Sequence, residues 1–228
     1  MKKCWWENKS KVSIVVDNDS WIIEYAKKLT KILKQDFDAV FINDYNKLKN
    51  GDVAFFLGCV KIAPKSILVK NTQNLIVHES DLPKGRGFSP VSWEILNNKN
   101  KLSICLLEAG ITADSGKIIF KDFFTVKKTD LINDIRAEQG KKTIELCLKY
   151  LYSKKEPVGI SQKGKATFYK RRKPIDSEIS INKSIKDQFN LLRIVDNKKY
   201  PAFFKYENEY YEIKINKITS LTTKKYLR

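Results

Sequence analysis

The sequence contains little histidine, cysteine or glycine, and the placement of the cysteines argues against one class of site. Its 228 residues include 1 His, 4 Cys and 9 Gly. Cys4, Cys59, Cys105 and Cys147 form no C-x-x-C pair and no cluster with the histidine, which argues against a zinc site. The last three lie in apolar surroundings. We therefore expect reduced core cysteines, a cytoplasmic protein and no metal.

Long hydrophobic runs are also missing, which argues against a membrane span. No apolar run approaches the roughly 18 residues that such a span requires. The basic N-terminus has no signal-peptide core, because Lys9 and Lys11 come directly before the first apolar run at 12–16. That run is too short for a signal peptide and indicates a first β-strand. We expect no membrane partner.

Acidic residues are outnumbered, with 26 Asp and Glu against 44 Lys and Arg, a formal net charge of +18. An excess of this size is typical of nucleic-acid-binding proteins. However, few of the basic residues are arginines, which such proteins use for bidentate contacts. The arginines are Arg86, Arg136, Arg171, Arg172, Arg193 and Arg228. We interpret the charge as a lysine-rich surface, which makes nucleic acid an unfavoured partner but would attract an anionic substrate or cofactor.

Alternating apolar runs and helical patterns predict an α/β fold. β-branched residues at 11–17 indicate a strand, and apolar residues at helical spacing indicate a helix over 21–35. Further buried strands are predicted at 39–42, 52–59, 67–70 and 75–78. Such short apolar runs favour a mostly parallel, covered, Rossmann-like sheet. No G-x-G-x-x-G follows the first strand, so the dinucleotide-binding fingerprint is absent.

The second half of the chain predicts the end of a main domain and a small appendage. The patterns indicate a helix at 90–97, strands at 101–108 and 117–124, and a long helix at 130–152. A polar segment crosses from 159 to 180, followed by a helix at 182–196 and a hairpin of strands 202–206 and 210–215. We predict a main domain over residues 1–157 and a C-terminal α+β appendage over residues 158–228.

The single histidine, His78, ends the predicted strand 75–78 and precedes a loop with Pro83, Gly85 and Gly87. In open α/β sheets, ligands bind at this carboxyl edge. Asp114 lies 36 residues later (114 − 78 = 36) in the turn-rich loop 109–116. We expect the two side chains to meet there as a general acid/base or oxyanion-stabilising pair. On spacing alone, an unrelated loop histidine and turn aspartate remain the alternative.

The residues around His78 resemble a family signature. Residues 78–87, HESDLPKGRG, are similar to the H-x-S-x-L-P-x-x-R-G motif of the 10-formyltetrahydrofolate-dependent formyltransferases. Pro90 and the WEIL at 93–96 match the following helix, and Asp114 stands at the family's spacing from His78. Residues 171–179, RRKPIDSEI, match the R-x-P-x-D-x-x-I block, and 190–204 look like the "IRA…YPGAF" segment. The resemblance covers about residues 11–215.

The resemblance implies the formyltransferase fold and transfer of a formyl group from 10-formyltetrahydrofolate to an amine. It is nearest to N-formyltransferases that act on nucleotide-linked amino sugars in surface glycan biosynthesis. Residues 17–22, DNDSWI, and 78–80, HES, look like the branch associated with pseudaminic-acid-type sugars. The expected partners are folate and a nucleotide-linked amino sugar, and a homodimer is left open.

The resemblance also assigns site residues. His78 and Asp114 would be catalytic, and the loop 106–113 would hold the pterin through backbone groups. The cofactor-binding candidates are Ser80, Arg86, Leu107, Glu108, Ile111 and Ala113. The substrate-binding candidates are Asp17, Ser20, Trp21 and Lys84. Trp21 would stack on a base or sugar unless it is a core residue, and Lys84 and Arg86 would meet phosphate or carboxylate groups unless their loop is solvated.

One position departs from the family pattern. The family places an asparagine two residues before the histidine, where this chain has Ile76. Asn74 lies on the same strand face, but ~6–7 Å further back, which is far for a replacement amide. We therefore treat Asn74 as a weak catalytic candidate or a residue at the start of the strand. A backbone N–H or another side chain would complete the oxyanion site, or His78 and Asp114 would act alone.

The assigned chemistry needs an uncharged amine, donors for the oxyanion and a group that removes the amine proton. His78 would donate to the oxyanion or shuttle the proton, and Asp114 would orient His78 and accept the proton. Two alternatives stay open. A methionyl-tRNA formyltransferase is favoured by the charge and opposed by the length, since that family carries a further C-terminal β-barrel. A non-catalytic folate- or nucleotide-binding module is favoured by Ile76.

Overall fold

The protein's structure, a computed structural model, describes Trp6 and residues 9–218. The strands are β1 (Lys11–Val15), β2 (Asp38–Ile42), β3 (Gly51–Leu57), β4 (Asn71–His78), β5 (Arg86–Gly87), β6 (Lys101–Glu108), β7 (Ile118–Thr125), β8 (Phe168–Tyr169), β9 (Ala202–Tyr206) and β10 (Glu209–Ile213). The helices are α1 (Ile22–Leu33), α2 (Lys65–Leu68), α3 (Pro90–Leu96), α4 (Ile132–Leu151) and α5 (Phe189–Ile194).

Six of these strands form the central sheet, in the order β2-β1-β3-β4-β6-β7. The first four in this order run parallel, whereas β6 runs antiparallel to both β4 and β7. The predicted α/β class with a mostly parallel, Rossmann-like sheet is therefore confirmed. Because β1, β3 and β4 are parallel, their carboxyl ends lie at one edge, and the loops that follow them are neighbours.

One face of the sheet packs against α1 and α4. The shared core includes Ile14 of β1, Leu75 of β4, Leu29 of α1 and Cys147 and Tyr150 of α4. Fully burying a side chain such as leucine or isoleucine contributes about 1.5–3 kcal/mol. This packing holds β1 and β4 rigidly, which in turn fixes the loops that leave their carboxyl ends.

The predicted strand at 67–70 is wrong, because the chain forms the short helix α2 there. Pro64 precedes the helix with φ −69°, and its carbonyl accepts from the N–H groups of Ile67 and Leu68. Only Ile67 is buried in this helix. An apolar run of four residues is too short for its periodicity to separate a helix from a strand.

The predicted helix at 182–196 is also much shorter, since only Phe189–Ile194 is helical. The Gln188 side chain accepts from the Ser180 N–H and donates to the carbonyls of Ser180, Lys183 and Ser184. Ser184 additionally bonds to Asp187 through its hydroxyl. These local side-chain bonds compete with helix formation before residue 189.

The crossing segment 159–180 lies against the loops that follow β4 and β6. Its strand β8 pairs in parallel with β5, and Ile160 bridges to Ile118 at the start of β7. The predicted hairpin is present as β9 and β10. The domain boundary at residue 157 stays a prediction. The pairings of β8 with β5 and of Ile160 with Ile118 connect residues on the two sides of this boundary.

Cys59, Cys105 and Cys147 are free thiols, half-buried or buried as predicted, whereas Cys4 lies outside the described residues. Within Trp6 and residues 9–218, no group of three or more His, Cys, Asp or Glu could hold a metal ion. Across the same part of the chain, none of the helices is both long and apolar enough to cross a bilayer.

Candidate active site

His78 and Asp114 meet in a largely buried pair. His78 is the last residue of β4, as the sequence predicted, and its Nδ1 lies 3.5 Å from Asp114 Oδ1. The two side chains are only 8% and 12% exposed. Removal of water strengthens the electrostatic interaction between such groups.

Asp114 reaches His78 by a route that the sequence did not predict. Because β6 runs antiparallel to β4, Leu75 pairs with Glu108 and His78 with Cys105, so β6 ends beside the middle of β4. The loop after β6 must therefore fold back towards the carboxyl end of β4. Asp114 has a left-handed φ of 50°, a conformation that aspartate tolerates better than most residues.

The other nitrogen of His78 is fixed by the backbone. Nε2 lies 2.9 Å from the carbonyl oxygen of Gly85. Since a carbonyl only accepts, Nε2 carries a hydrogen and donates it. In a neutral ring Nδ1 is then the unprotonated nitrogen, and it faces Asp114. Nδ1 and the Asp114 carboxylate are therefore neighbouring atoms that both accept hydrogen bonds in the neutral ring.

Asp114 is held by groups from two other segments. Its Oδ2 accepts from the Gly87 N–H at 2.9 Å. The Gln162 side chain donates to the carbonyls of Asp114 and Gly116, both at 2.8 Å, and accepts from Arg86 Nη2 at 2.7 Å. The crossing segment therefore fixes the loop that carries Asp114. The sequence reasoning missed Gln162, whose only signal was its place in a polar segment.

A second carboxyl group lies beside the pair, at Glu79. Burial raises the pKa of Glu79, while nearby His78 and a hydrogen bond with Gln139 act in the opposite direction and nearby Asp114 adds to the increase. The sequence reasoning missed this group, although its position directly after His78 was a usable signal. Gln139 on α4 had no such signal, because it lies 60 residues away (139 − 79 = 60).

Asn74 does not reach the pair. Its side-chain nitrogen donates to the carbonyls of Leu68 and Asn71, at 2.8 and 3.1 Å. It also lies four residues before His78, ~13 Å along the strand. Ile76, at the family's asparagine position, is half-buried and packs against apolar neighbours. Neither position 74 nor position 76 therefore supplies an amide side chain to His78.

The cofactor-binding candidates in and near the loop 107–116 differ in how exposed they are. Ile111 is 73% exposed, Glu108 and Ala113 are half-buried, and Leu107 is a core residue. The backbone N–H groups of residues 110–113 make no hydrogen bonds to other described residues, so they are free to bind the polar edge of a pterin. Ser80 is buried, and its Oγ has no partner among the described residues. These features fit a folate bound through backbone groups.

The substrate candidates lie at the same edge of the sheet but play different parts. The Asp17 carboxylate accepts from the N–H groups of Val60 and Lys61, so it fixes the loop after β3. Trp21 packs edge-on against Tyr25 and beneath Arg136, which favours the core interpretation. Two further candidates are Ser20, whose buried Oγ has no partner among the described residues, and Lys84, which is exposed.

Known proteins share both sequence and fold with this chain, although no family model matches it. A curated methionyl-tRNA formyltransferase from Rickettsia felis is 30% identical over 129 residues, which are 56% of this chain and 42% of that protein. The chain spans about half the length of the curated relatives that it matches.

Two solved structures extend the likeness over almost the whole chain. A methionyl-tRNA formyltransferase from Clostridium thermocellum superposes with a TM-score of 0.79 at 26% identity, covering 92% of this chain and 94% of that one. A 4-N formyltransferase from Francisella tularensis gives a TM-score of 0.67 at 17% identity, covering 93% and 100%.

The fold is a Rossmann-like α/β fold with a buried His–Asp pair at the carboxyl edge of its sheet. In both sequence and fold, the chain is similar to proteins that carry the name formyltransferase.

Proposed function

We propose that the protein transfers a formyl group from 10-formyltetrahydrofolate to the amino group of a nucleotide-linked amino sugar. The observation that carries this proposal is the buried pair of His78 and Asp114, 3.5 Å apart at the end of β4. When bound, 10-formyltetrahydrofolate supplies the formyl carbon that the amine attacks. Ser80 and the free backbone N–H groups of residues 110–113 would hold it.

Asp114 and His78 would remove the proton from the sugar amine. A sugar ammonium has no lone pair, so it must lose a proton before or during attack. The Asp114 carboxylate accepts this proton. The Gly87 N–H donates to Asp114 Oδ2 and so keeps the carboxylate oriented. His78 shares the proton through Nδ1, while Gly85 prevents its ring from rotating. The amine nitrogen would bond to the formyl carbon as the bond from that carbon to the folate nitrogen breaks, and the proton taken by Asp114 and His78 would pass to the departing folate nitrogen. Because this transfer is direct, no serine or cysteine nucleophile is required.

The choice of a sugar acceptor rests on the residues near the pair. Residues 17–22 and 78–80 resemble the sugar-modifying branch, and the chain aligns with the whole of a 4-N formyltransferase chain. The product would enter surface glycan biosynthesis in the cytoplasm. More specifically, we propose that the acceptor is a sugar of the pseudaminic-acid type.

A methionyl-tRNA formyltransferase is the second candidate. Relatives that are 26–30% identical to this chain carry that name, and the net charge of +18 suits a nucleic-acid acceptor. A solved chain with that name is covered to 94%, whereas the curated relatives with that name are covered to 42–57% of their length.

The deciding experiment is a formyl-transfer assay with 10-formyltetrahydrofolate against nucleotide-linked amino sugars and methionyl-tRNA. We expect turnover of a sugar and a loss of ~10²–10⁴-fold in His78→Ala and Asp114→Asn, since they remove the acid–base groups. Asp38→Asn, the same charge change on an exposed residue at the far end of β2, is the control.

Full activity in either site variant would contradict the mechanism. Formylation of methionyl-tRNA alone would favour the second candidate. Folate binding without transfer to any amine would favour a non-catalytic module.

A further inference from the structure

A polar cavity of about 390 Å³ opens beside the carboxyl ends of β1 and β2, on the side away from β6. Its lining comes from Asp17 after β1, from residues 43–46 after β2 and from Lys61 and α2 after β3. None of these segments carries His78 or Asp114. The volume lies within the usual range for small-molecule sites.

The lining combines apolar side chains with polar groups, most of which already make hydrogen bonds within the protein. Ile67 is 7% exposed and Tyr45 is half-buried, with its hydroxyl donating to the Lys61 carbonyl at 2.8 Å. Asp44 Oδ1 accepts from the Asn46 N–H at 2.9 Å. The other oxygen of Asp44 has no hydrogen-bond partner among the described residues. A carboxylate above an apolar floor suits a ring that carries hydroxyl groups.

The position of Asp44 in the chain supports a nucleoside as that ring. In dinucleotide-binding sheets, an acidic residue about 20 residues beyond the first βα turn binds the ribose hydroxyls. Asp44 follows β2 and lies 23 residues after Trp21, where the first turn ends (44 − 21 = 23). The glycine fingerprint for a dinucleotide is absent, so the cavity suits a single nucleoside.

The distance from the acid–base pair fits a diphosphate spacer. In the sheet, β4 is two strands from β1 and three from β2. At the usual spacing between strands, the cavity therefore lies ~10–14 Å from the end of β4. A hexose and a diphosphate together bridge such a gap. In an aminoacyl-tRNA, by contrast, the amine is attached almost directly to the terminal ribose.

We infer that this cavity binds the nucleoside end of a ribonucleoside diphosphate whose sugar amine lies at His78 and Asp114. Asp44 accepts hydrogen bonds from the ribose hydroxyls, and the exposed Lys61 contacts the diphosphate. The base packs over Tyr45 and Ile67. This inference rests on the proposed function, because it names the substrate class of that site.

The test is calorimetric titration of the whole protein with UDP, CDP, GDP and ADP, without folate or sugar. We expect one of them to bind, and Asp44→Asn to weaken it about 10-fold, since a charged hydrogen bond is lost. Asparagine keeps the oxygen that accepts from the Asn46 N–H, so the local turn is preserved. The 2′-deoxy form of the bound diphosphate should lose affinity to a similar extent on the wild-type protein.

Matched variants separate the cavity from the rest of the molecule. Asp38→Asn makes the same change at the other end of β2 and should leave binding unchanged. Ser66→Trp fills the cavity from the exposed face of α2 and should abolish binding, with thermal unfolding as the check on folding. Asp114→Asn should keep nucleotide affinity while losing formyl transfer.

The inference is overturned if no diphosphate binds or if Asp44→Asn binds as tightly as the wild type. It is also overturned if Asp44→Asn formylates a nucleotide sugar with unchanged KM, although the proposed function then stands. If the diphosphate binds as expected but wild-type protein transfers no formyl group, the cavity stands and the proposed function fails.

Discussion

At the scale of single residues, Glu79 places a second ionisable carboxyl group next to the acid–base pair. Both Glu79 and Asp114 lie near the one imidazole of His78. If both carboxyl groups were ionised, they would repel each other, and burial already favours a proton on Glu79. The proposed mechanism therefore uses Asp114, rather than Glu79, as the carboxylate that accepts the substrate proton.

We expect Glu79→Gln to change the pH dependence of stability. The pKa of Glu79 is raised in the folded protein, so between the ordinary glutamate pKa of about 4.3 and the raised value the folded chain binds more protons than the unfolded one. The stability of the wild type therefore falls as pH rises through this window. Glu79→Gln lacks this pH-dependent loss of stability. Its free energy of unfolding, measured in urea relative to that of the wild type, should therefore increase from pH 4 to pH 7.

The control for this prediction is Glu209→Gln on exposed β10, which should follow the wild-type pH profile. Parallel profiles for Glu79→Gln and the wild type would contradict the prediction.

The pairing of His78 with Asp114 could be predicted because both residues stand in a recognisable sequence pattern. The hydrogen bond between His78 and the Gly85 carbonyl could not, since it depends on how the loop after β4 folds. The contribution of Gln139 depends on the packing of α4 against the sheet, and no local pattern reports that contact.

At the scale of elements, Gly87 connects a strand pairing to the site. It has a left-handed φ of 97°, and a Cβ there would lie 2.5 Å from the Tyr169 carbonyl oxygen. The same residue donates its N–H to Asp114. Close contact between β5 and β8 therefore requires glycine at this position.

Gly87→Ala should lower the free energy of unfolding by about 1–3 kcal/mol, because it adds both strain and a steric clash. Gly110→Ala is the matched control, since a Cβ there meets no atom within 4 Å and its φ is not left-handed. It should change stability by less than about 0.5 kcal/mol. Equal effects of the two substitutions in urea unfolding would contradict the argument.

Gln162→Ala should reduce kcat by roughly 10-fold, because small misplacements of a catalytic group are costly. The variant loses the bonds that hold the Asp114 loop, whereas the core is untouched. We expect the KM for the acceptor and the melting temperature to stay near the wild-type values. Gln35→Ala, at an exposed position after α1, is the control. An unchanged kcat in Gln162→Ala would show that the crossing segment does not position Asp114.

The parallel strands were predictable from their apolar runs, but the direction of β6 was not. Its pattern, KLSICLLE, is as apolar as that of a parallel strand. Only the short connection between β6 and β7, which pair as antiparallel neighbours, distinguishes the two directions. The sequence analysis assigned no direction to β6, so it did not predict that the Asp114 loop leaves β6 beside the middle of β4.

At the scale of the whole molecule, Arg193 ties the C-terminal part to the main sheet. Its side chain is 1% exposed and donates to the carbonyls of Asp130 and Lys127 and to Asn100 Oδ1. Burial lowers the pKa of its guanidinium. Five donors in a fixed plane allow one arginine to satisfy several buried acceptors.

Arg193→Ala should destabilise the protein by about 3 kcal/mol or more, because several buried acceptors lose their partner at once. The surface variant Arg171→Ala, which removes the same charge, should change stability by less than about 1 kcal/mol. Thermal and urea unfolding of the two variants provide the comparison. A small effect of Arg193→Ala would mean that α5 is held mainly by its apolar contacts.

The crossing segment has a consequence for when the protein becomes competent during synthesis. Gly85 is bonded to Thr167, β5 to β8, and the Asp114 loop to Gln162, all through residues that lie after the long helix α4. A nascent chain that has emerged as far as α4 can assemble its sheet and core, since domains fold from the N-terminus during translation. It would still lack the contacts that orient the acid–base pair. The contacts that orient His78 and Asp114 would therefore form only after the chain has emerged as far as Tyr169, which lies 18 residues beyond the end of α4 (169 − 151 = 18).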